Sequence, residues 1–245
     1  MILLPAIDIR GGAAVRLEQG DFARETRFDT DPLDAARRWH EQGARALHVV
    51  DLDGARQGSP VNLPEVARIC AELDLPVQFG GGLRDAESVE AAFGAGVERV
   101  VLGTAALEDP ALIESLAAEH GERIVVGADA RGGRVAVAGW EREARIGVSE
   151  LVADLASRGV RRFVFTEVEV DGTLEGPGVK ALRAAARSAS ESEAELIYSG
   201  GVGTLDHLRE LAALELPALG GVIVGRALYE GRFSVAEGEA ALAGR

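Results

Sequence analysis

Arg99-Val-Val-Leu-Gly-Thr-Ala105 returns later in the chain as Gly221-Val-Ile-Val-Gly-Arg-Ala227. Each segment is apolar on consecutive positions, closes on a glycine and runs into a helix-forming stretch. A run that is apolar on every residue, rather than on alternate ones, marks a strand covered on both faces, as in the parallel sheet of an α/β protein. The recurrence extends outward from this pair. Gly81 in Gly80-Gly-Gly-Leu-Arg84 matches Gly201 in Ser199-Gly-Gly-Val-Gly203, and Asp8, ending a first strand, matches Asp129, ending a fifth. The three pairs are each about 120 residues apart, far longer than a solenoid unit. They divide the chain into two copies of one half.

Short β-rich runs alternate with Ala/Leu/Glu/Arg-rich helical runs throughout. Strands are predicted at Ile2–Asp8, Ala46–Asp51, Pro76–Gly80, Arg99–Gly103, Ile124–Asp129, Arg162–Thr166, Glu195–Ser199 and Gly221–Gly225. Helices are predicted between them at about 33–42, 62–74, 85–95, 110–120, 148–158, 178–188, 204–214 and 226–230. No Pro/Ser-rich linker interrupts the series, so residues 1–245 read as a single domain. The expected fold is a (β/α)8 TIM barrel with a two-fold half-barrel repeat, its two matching sites facing each other across the mouth. A barrel of this type takes about 250 residues, which this chain supplies.

Composition narrows the function classes. The chain is 47% hydrophobic and 27% charged, with a net charge of −14. That acidic surface repels nucleic acid and anionic membranes, so neither is expected as a partner. No apolar run approaches the roughly 18–20 residues of a membrane span. The first residues, Met1-Ile-Leu-Leu-Pro-Ala-Ile-Asp8, have no basic leader and read as a strand, so a cytoplasmic location is expected. Lys180 is the sole lysine, which leaves phosphate recognition to backbone amides and arginines. The sole cysteine, Cys70, excludes an internal disulfide and a cysteine-rich zinc site, and it is expected in the core.

Barrel enzymes carry their active sites at the C-terminal ends of the strands. Asp8 and Asp129 fall there on opposite strands, where paired carboxylates suit proton transfer, one taking a proton from carbon and the other giving one to oxygen. A lone strand-end Asp also serves as a helix N-cap or turn residue. The symmetric pair favours chemistry. Four glycine-rich turns follow strands three, four, seven and eight: Gly80-Gly81-Gly82, Gly103-Thr104, Ser199-Gly200-Gly201 and Gly225-Arg226. Each opens a helix, where backbone N–H groups and the helix terminus attract anions. Single glycine turns mean little, but two symmetric sets suit a small-molecule substrate with two phosphates. Arg84 closes the first set.

Two further segments stand over the mouth. Gly132-Gly133 after strand five reads as a hairpin turn, with Trp140 beyond it in a polar loop, either a packing anchor or a platform for a flat heterocycle. Arg16 follows the turn at Gly11-Gly12 and either binds phosphate or is a solvated hairpin arginine. His40, His120 and His207 lie in helices or at their ends, in solvated or capping roles. His48 lies within strand two and reads as packed. No His/Cys/Glu spacing points to a metal.

Several segments together resemble the phosphoribosylformimino-aminoimidazole carboxamide ribotide isomerases of histidine biosynthesis. They are Leu4-Pro-Ala-Ile-Asp8, Val15-Arg-Leu-Glu-Gln-Gly-Asp21, His48-Val-Val-Asp-Leu-Asp-Gly-Ala55, Gln78-Phe-Gly-Gly-Gly-Leu-Arg84, Gly103-Thr104, Asp171-Gly-Thr-Leu-Glu-Gly-Pro177 and Ser199-Gly-Gly-Val202. The resemblance covers essentially the whole chain. It implies an Amadori rearrangement of an aminoaldose to an aminoketose without metal or redox cofactor, with Asp8 as general base, Asp129 as general acid and Thr166 and Asp171 assisting. A monomer is expected.

The chain departs from the family pattern in one loop. The usual Thr-Asp-Ile-x-Arg-Asp-Gly-Thr reads Thr166-Glu-Val-Glu-Val-Asp-Gly-Thr173, which places Glu167 and Val170 where Asp and Arg are usual. A bifunctional relative that also isomerises phosphoribosylanthranilate, from tryptophan biosynthesis, carries Arg two residues before the loop Trp. Here that residue is Ala138, which favours the histidine reaction alone, with Arg142 and Arg145 as alternative sources of charge. The cyclase subunit of imidazole glycerol phosphate synthase is the nearest rival, since it also pairs two strand-end aspartates. A non-catalytic phospho-ligand barrel is a rival of another class. Val15-Arg-Leu-Glu-Gln-Gly and Val49-Val-Asp-Leu-Asp-Gly-Ala fit the isomerase better.

Overall fold

The computed structural model describes residues 1–137 and 142–244. Its strands are β1 (Ile2–Arg10), β2 (Ala13–Glu18), β3 (Asp21–Asp29), β4 (Leu47–Asp51), β5 (Val77–Gly80), β6 (Arg99–Leu102), β7 (Ile124–Arg131), β8 (Arg134–Val137), β9 (Arg142–Gly147), β10 (Arg162–Glu167), β11 (Glu195–Ser199) and β12 (Leu219–Val224). Parallel pairings run from β1 through β4, β5, β6, β7, β10, β11 and β12 and return to β1. The sheet therefore closes into a (β/α)8 TIM barrel, with the predicted strands as its staves.

Period-2 alternation sorts the strand side chains into two cores. Leu4, Ala6, Ala46, Val125, Val164, Ile197 and Ile223 fill the barrel interior. Leu3, Ile7, Leu47, Val49, Val126 and Phe163 face outward and join the larger core beneath the helices. Helix Pro110–His120 buries Ile113, Leu116 and Ala117, and helix Val148–Ser157 buries Leu151, Val152 and Leu155, both at helical spacing. Local chemistry marks the helix starts. Asp31, Asp85, Asp109 and Thr204 accept from the first turns of their helices, and proline follows Asp31 and Asp109 at once.

The structure adds elements to the predicted set. Helices Leu52–Gln57 and Thr104–Glu108 are shorter than an isolated helix can sustain, and tertiary contacts form them. Helix Val235–Leu242 packs beside β1. Antiparallel hairpins extend the barrel strands upward. β2 pairs with β1 and β3, while β8 pairs with β7 through the Gly132-Gly133 turn and with β9. Both halves thus carry a hairpin after their first strand, so the two-fold repeat reaches beyond the barrel. Cys70 is only partly buried at the edge of the core, and burial pushes its thiol up to about 11. Among the described residues no helix is long and apolar enough to cross a membrane.

Candidate active site

The C-terminal strand ends surround a cavity of about 260 Å3. Asp8, Asp129, Thr166 and Asp171 all line it, together with Gly81, Gly82, Arg84, Gly103 and Thr104 of the first glycine set. Ser199 lines it too and also borders a second hollow of about 20 Å3, which is lined by Gly200, Gly201, Gly225 and Arg226. The predicted residues therefore gather at one mouth, with a glycine set on each flank. Trp140 and Ala138 lie outside the described residues, as do the side chains of Arg142 and Arg145.

Barrel register explains the carboxylate placement. Asp8 stands on β1 beside Val50 of β4, and Asp129 on β7 pairs with Thr166 of β10. Arg16 on β2 reaches back to Asp8 with a 2.8 Å ion pair, and both residues are buried. Burial works against the Arg16 charge, but Asp8, Asp171 and Tyr229 more than offset it and raise its pKa. Burial raises the Asp8 pKa, and Arg16 counters this in part. Asp171 is pushed up to about 6 by burial, with Asp8 and Asp129 adding to the rise and Arg16 opposing it. A carboxylate with a raised pKa is a stronger base, as proton abstraction from carbon requires. Arg16 is thus not a solvated hairpin arginine. It joins Asp8 to the second glycine set, since a Cβ on Gly225 would lie 2.3 Å from its Cζ.

The glycine sets match in backbone conformation. Gly81 and Gly82 have φ of 113° and 80°, and Gly200 and Gly201 have 112° and 73°. Gly103 and Gly225 share another rare conformation, with φ/ψ of −100°/−95° and −114°/−89°. The equivalence is one residue away from the alignment read in the sequence, pairing Gly81 with Gly200 rather than with Gly201. Space demands glycine as well as angle. A Cβ on Gly81 would lie 2.2 Å from the Asp51 carbonyl oxygen, and one on Gly201 would lie 2.0 Å from the Gly176 carbonyl oxygen.

Each glycine pair is covered by the loop after the preceding strand. Behind the first, fully buried Asp51 accepts from Gly54 N (2.8 Å), Val61 N (2.6 Å), Asn62 N (2.8 Å) and Asn62 Nδ2 (2.7 Å). Asp51→Ala leaves the Gly54, Val61 and Asn62 amides without an acceptor, at about 1–3 kcal/mol for each one that stays dry, while Asn62 Nδ2 keeps its bond to Asp53. The expected outcome is a loss of at least roughly 3 kcal/mol in urea unfolding and weaker phosphate binding. Unchanged values of both would show that the loop does not depend on Asp51.

Over the second pair, Gly176 N donates to Gly201 O at 2.9 Å, and Val170 Cγ2 would lie 3.2 Å from a Cβ on Gly201. Val170 therefore presents a methyl group to this set. Glu167 turns away from the mouth toward Gly178, where its buried Oε2 finds no partner among the described residues. Arg226 donates to Gly172 O at 2.7 Å and to Glu230 at 2.6 Å, so it tethers the loop at 168–178. Arg84 lies against Gly58 and lines the larger cavity.

Several lining residues had no site role in the sequence analysis. Leu17, Gly20 and Phe22 come from the hairpin, and His48 comes from the cavity floor. His207 takes a capping role by accepting from Gly203 N at 3.1 Å. Glu90, Glu119 and His120 form a group of potential metal ligands, largely solvent-exposed, and none of them lines the cavity.

Comparison with known proteins gives the same direction. The model of a family described as histidine biosynthesis protein matches residues 2–234. A protein from Desulforudis audaxviator (strain MP104C) is 50% identical over 237 residues, covering 97% of this chain and 89% of its own. One from Synechococcus sp. (strain CC9311) is 48% identical over 243 residues, covering 99% and 94%. One from Roseiflexus sp. (strain RS-1) is 47% identical over 242 residues, covering 99% and 100%. All three are named 1-(5-phosphoribosyl)-5-((5-phosphoribosylamino)methylideneamino)imidazole-4-carboxamide isomerase. The chain belongs to the histidine biosynthesis protein family.

Proposed function

We propose that this protein is the aldose–ketose isomerase of histidine biosynthesis that its relatives' name describes, acting on a substrate with two phosphates. The observation that carries the reading is the placement of Asp8 and Asp129 at matched strand ends on one cavity, between two glycine sets of equal conformation. Each set takes one phosphate, with Ser199, Gly225 and Arg226 serving the second. Holding both ends fixes a long, flexible molecule across the mouth, and such positioning supplies a large part of the rate acceleration. Arg16 sits between Asp8 and the second set, where it orients the base and meets the nearby phosphate.

The reaction is an Amadori rearrangement. Asp129, as general acid, gives a proton to the ribose ring oxygen. The ring C–O bond breaks toward that oxygen while the nitrogen lone pair on C1 forms a protonated imine. Asp8 removes the proton from C2, and the electron pair closes the C1=C2 bond as the imine π electrons return to nitrogen. The enolamine then loses its O2 proton and gains one on C1, which gives the ketose. Thr166, beside Asp129 in register, and Asp171, beside Arg16, orient the two proton carriers. The protein acts as one domain over residues 1–245, as a monomer in the cytoplasm.

The deciding measurement is kcat/KM for the aminoaldose named by the relatives and for phosphoribosylanthranilate on one preparation. The first is expected to turn over. The second is expected to be poorer by at least about tenfold, because Ala138 offers no charge to its carboxylate, and a charge-assisted hydrogen bond is worth about 1.5–3 kcal/mol. No turnover of the aminoaldose overturns the proposal. Comparable values assign the missing charge to Arg142 or Arg145 and make the enzyme bifunctional.

A further inference from the structure

The turn between β2 and β3 carries a residue that its backbone does not favour. The two central residues are Gln19 and Gly20, enclosed by the register pair Glu18 and Asp21, and both have positive φ, 52° and 73°. A two-residue hairpin turn of this kind favours Asn-Gly or Gly-Gly, because glycine enters the left-handed region freely and asparagine tolerates it. Glutamine gains nothing from that conformation. An exposed side chain held there points to a task beyond the turn.

The task lies in the loop after β10. Gln19 Nε2 donates to Glu169 O at 2.7 Å, and Gln19 N donates to Asp171 O at 3.1 Å. One residue thus holds two alternate carbonyls of that loop, with only Val170 between them. The two backbones meet closely, since a Cβ on Gly172 would lie 2.9 Å from Leu17 O. Residues 168–178 belong to no strand or helix, so contacts with neighbours set their course. Gly132 N reaches the Glu169 carboxylate at 3.3 Å and Arg226 reaches Gly172 O, so neither fixes the Asp171 peptide itself. The Asp171 side chain lines both the cavity and the second hollow, and the charges around it are Arg16, Asp8 and Asp129.

We infer that Gln19 is a positioning residue for the reaction: its side-chain amide and backbone N–H fix the segment from Glu169 to Asp171 and so set where the Asp171 carboxylate stands against Arg16 and the substrate. The inference rests on the isomerase reading. An assisting group displaced by about an ångström can cost up to about a hundredfold in rate, even when the change is made away from the reacting atoms. The hairpin after β1 therefore serves two carboxylates, Asp8 through Arg16 and Asp171 through Gln19.

The test uses the whole protein and begins with Gln19→Gly. Glycine takes the turn conformation without strain and keeps the N–H to Asp171 O, but it loses the bond to Glu169 O. Were Gln19 only a turn residue, this change would be harmless, so Tm is expected to hold or rise. kcat is expected to fall at least about tenfold, with a smaller change in KM. Gln19→Lys, which returns a donor of similar reach, should recover at least about threefold of that loss. In the Asp171→Asn background, Gln19→Gly should cost less than about threefold, because a carboxylate already removed needs no placing. Carbon-13 NMR of labelled aspartates adds a readout besides turnover. The Asp171 carboxyl, identified by its loss in Asp171→Asn, is expected to titrate at about 6 in the wild type and lower in Gln19→Gly, as water reaches a group that burial holds up. A kcat of Gln19→Gly within about threefold of the wild type, an equal loss in both backgrounds, or an unmoved Asp171 titration overturns the inference. If Gln19→Gly does not fold, Gln19→Asn, which suits the turn but is one methylene short, is judged by the same outcomes. Wild-type protein without turnover strikes the isomerase reading instead, and the NMR arm still decides the placement of Asp171.

Discussion

Asp8→Asn and Asp129→Asn are each expected to remain folded and to lose at least about a hundredfold in kcat, the scale of a general acid or base. Asparagine keeps the shape and a carbonyl acceptor but neither takes nor delivers the proton. In Asp8→Asn the buried Arg16 loses the carboxylate 2.8 Å away and keeps the nearby charge of Asp171. Removing one partner of a buried ion pair costs about 3–5 kcal/mol, and Asp171 reduces that figure here. The variants are compared by circular dichroism and thermal unfolding first, then by kcat and KM. Near-wild-type kcat in either folded variant removes that residue from the mechanism.

Asp171→Asn is expected to stabilise the protein at pH 8 while impairing it as an enzyme. The Asp171 carboxyl rises from 3.8 to about 6 on folding, mainly through burial. Between those values the folded state holds a proton that the unfolded state has lost, so stability falls as pH rises through this window. The shift corresponds to about 3 kcal/mol, absent below pH 3.8 and fully expressed above pH 6. Asparagine removes the ionisation. The variant's Tm should exceed the wild type's by roughly 6–12 °C at pH 8 for a chain of this length, and the gap should close as pH falls toward 4. A lower Tm at pH 8 would mean that Arg16 stabilises the Asp171 charge by more than burial opposes it.

The barrel staves were legible because consecutive apolar residues closed by glycine or aspartate leave few alternatives to a covered parallel strand. The short helices at Leu52–Gln57 and Thr104–Glu108 were not legible, since one or two turns carry no period and depend on contacts such as the Asp51 cap. Helix Val235–Leu242 did carry a signal. Ser234 and Glu237 form a capping box, visible as Ser-x-x-Glu before an apolar stretch. β3 reads as a charged run, Asp21-Phe-Ala-Arg-Glu-Thr-Arg-Phe-Asp29, mostly exposed and without an apolar face.

At the site, residue type and spacing brought the aspartates and glycines to one mouth. Spacing alone placed the glycine equivalence one residue off, because the turns rather than the offsets define it. His48 read as packed, since nothing along the chain announces that Gln78, on the next strand, holds one edge of its ring. The Arg16–Asp8 pair was hidden for the same reason, a contact made across a hairpin whose second strand has no clear pattern.

The cavity floor is uneven, because Ala6, His48 and Gln78 stand side by side in the first half where Gly127, Val164 and Ile197 stand in the second, and this has a bearing on direction. A half-turn about the barrel axis exchanges the two glycine sets, so a molecule with a phosphate at each end has two ways to lie across the mouth. In one of them C2 of the sugar meets Asp8. In the reversed one it meets Asp129, and the reaction has no start. The glycine turns themselves hardly distinguish these poses, because their backbone conformations are nearly the same at both ends. Beneath Asp8 lie His48 and Gln78, and beneath Asp129 lie Val164 and Ile197, so the sugar meets polar side chains in one pose and hydrocarbon in the other. Each 1.4 kcal/mol of that difference makes the reversed pose about tenfold rarer. The symmetry that supplies the grip thus leaves the choice of heading to the floor.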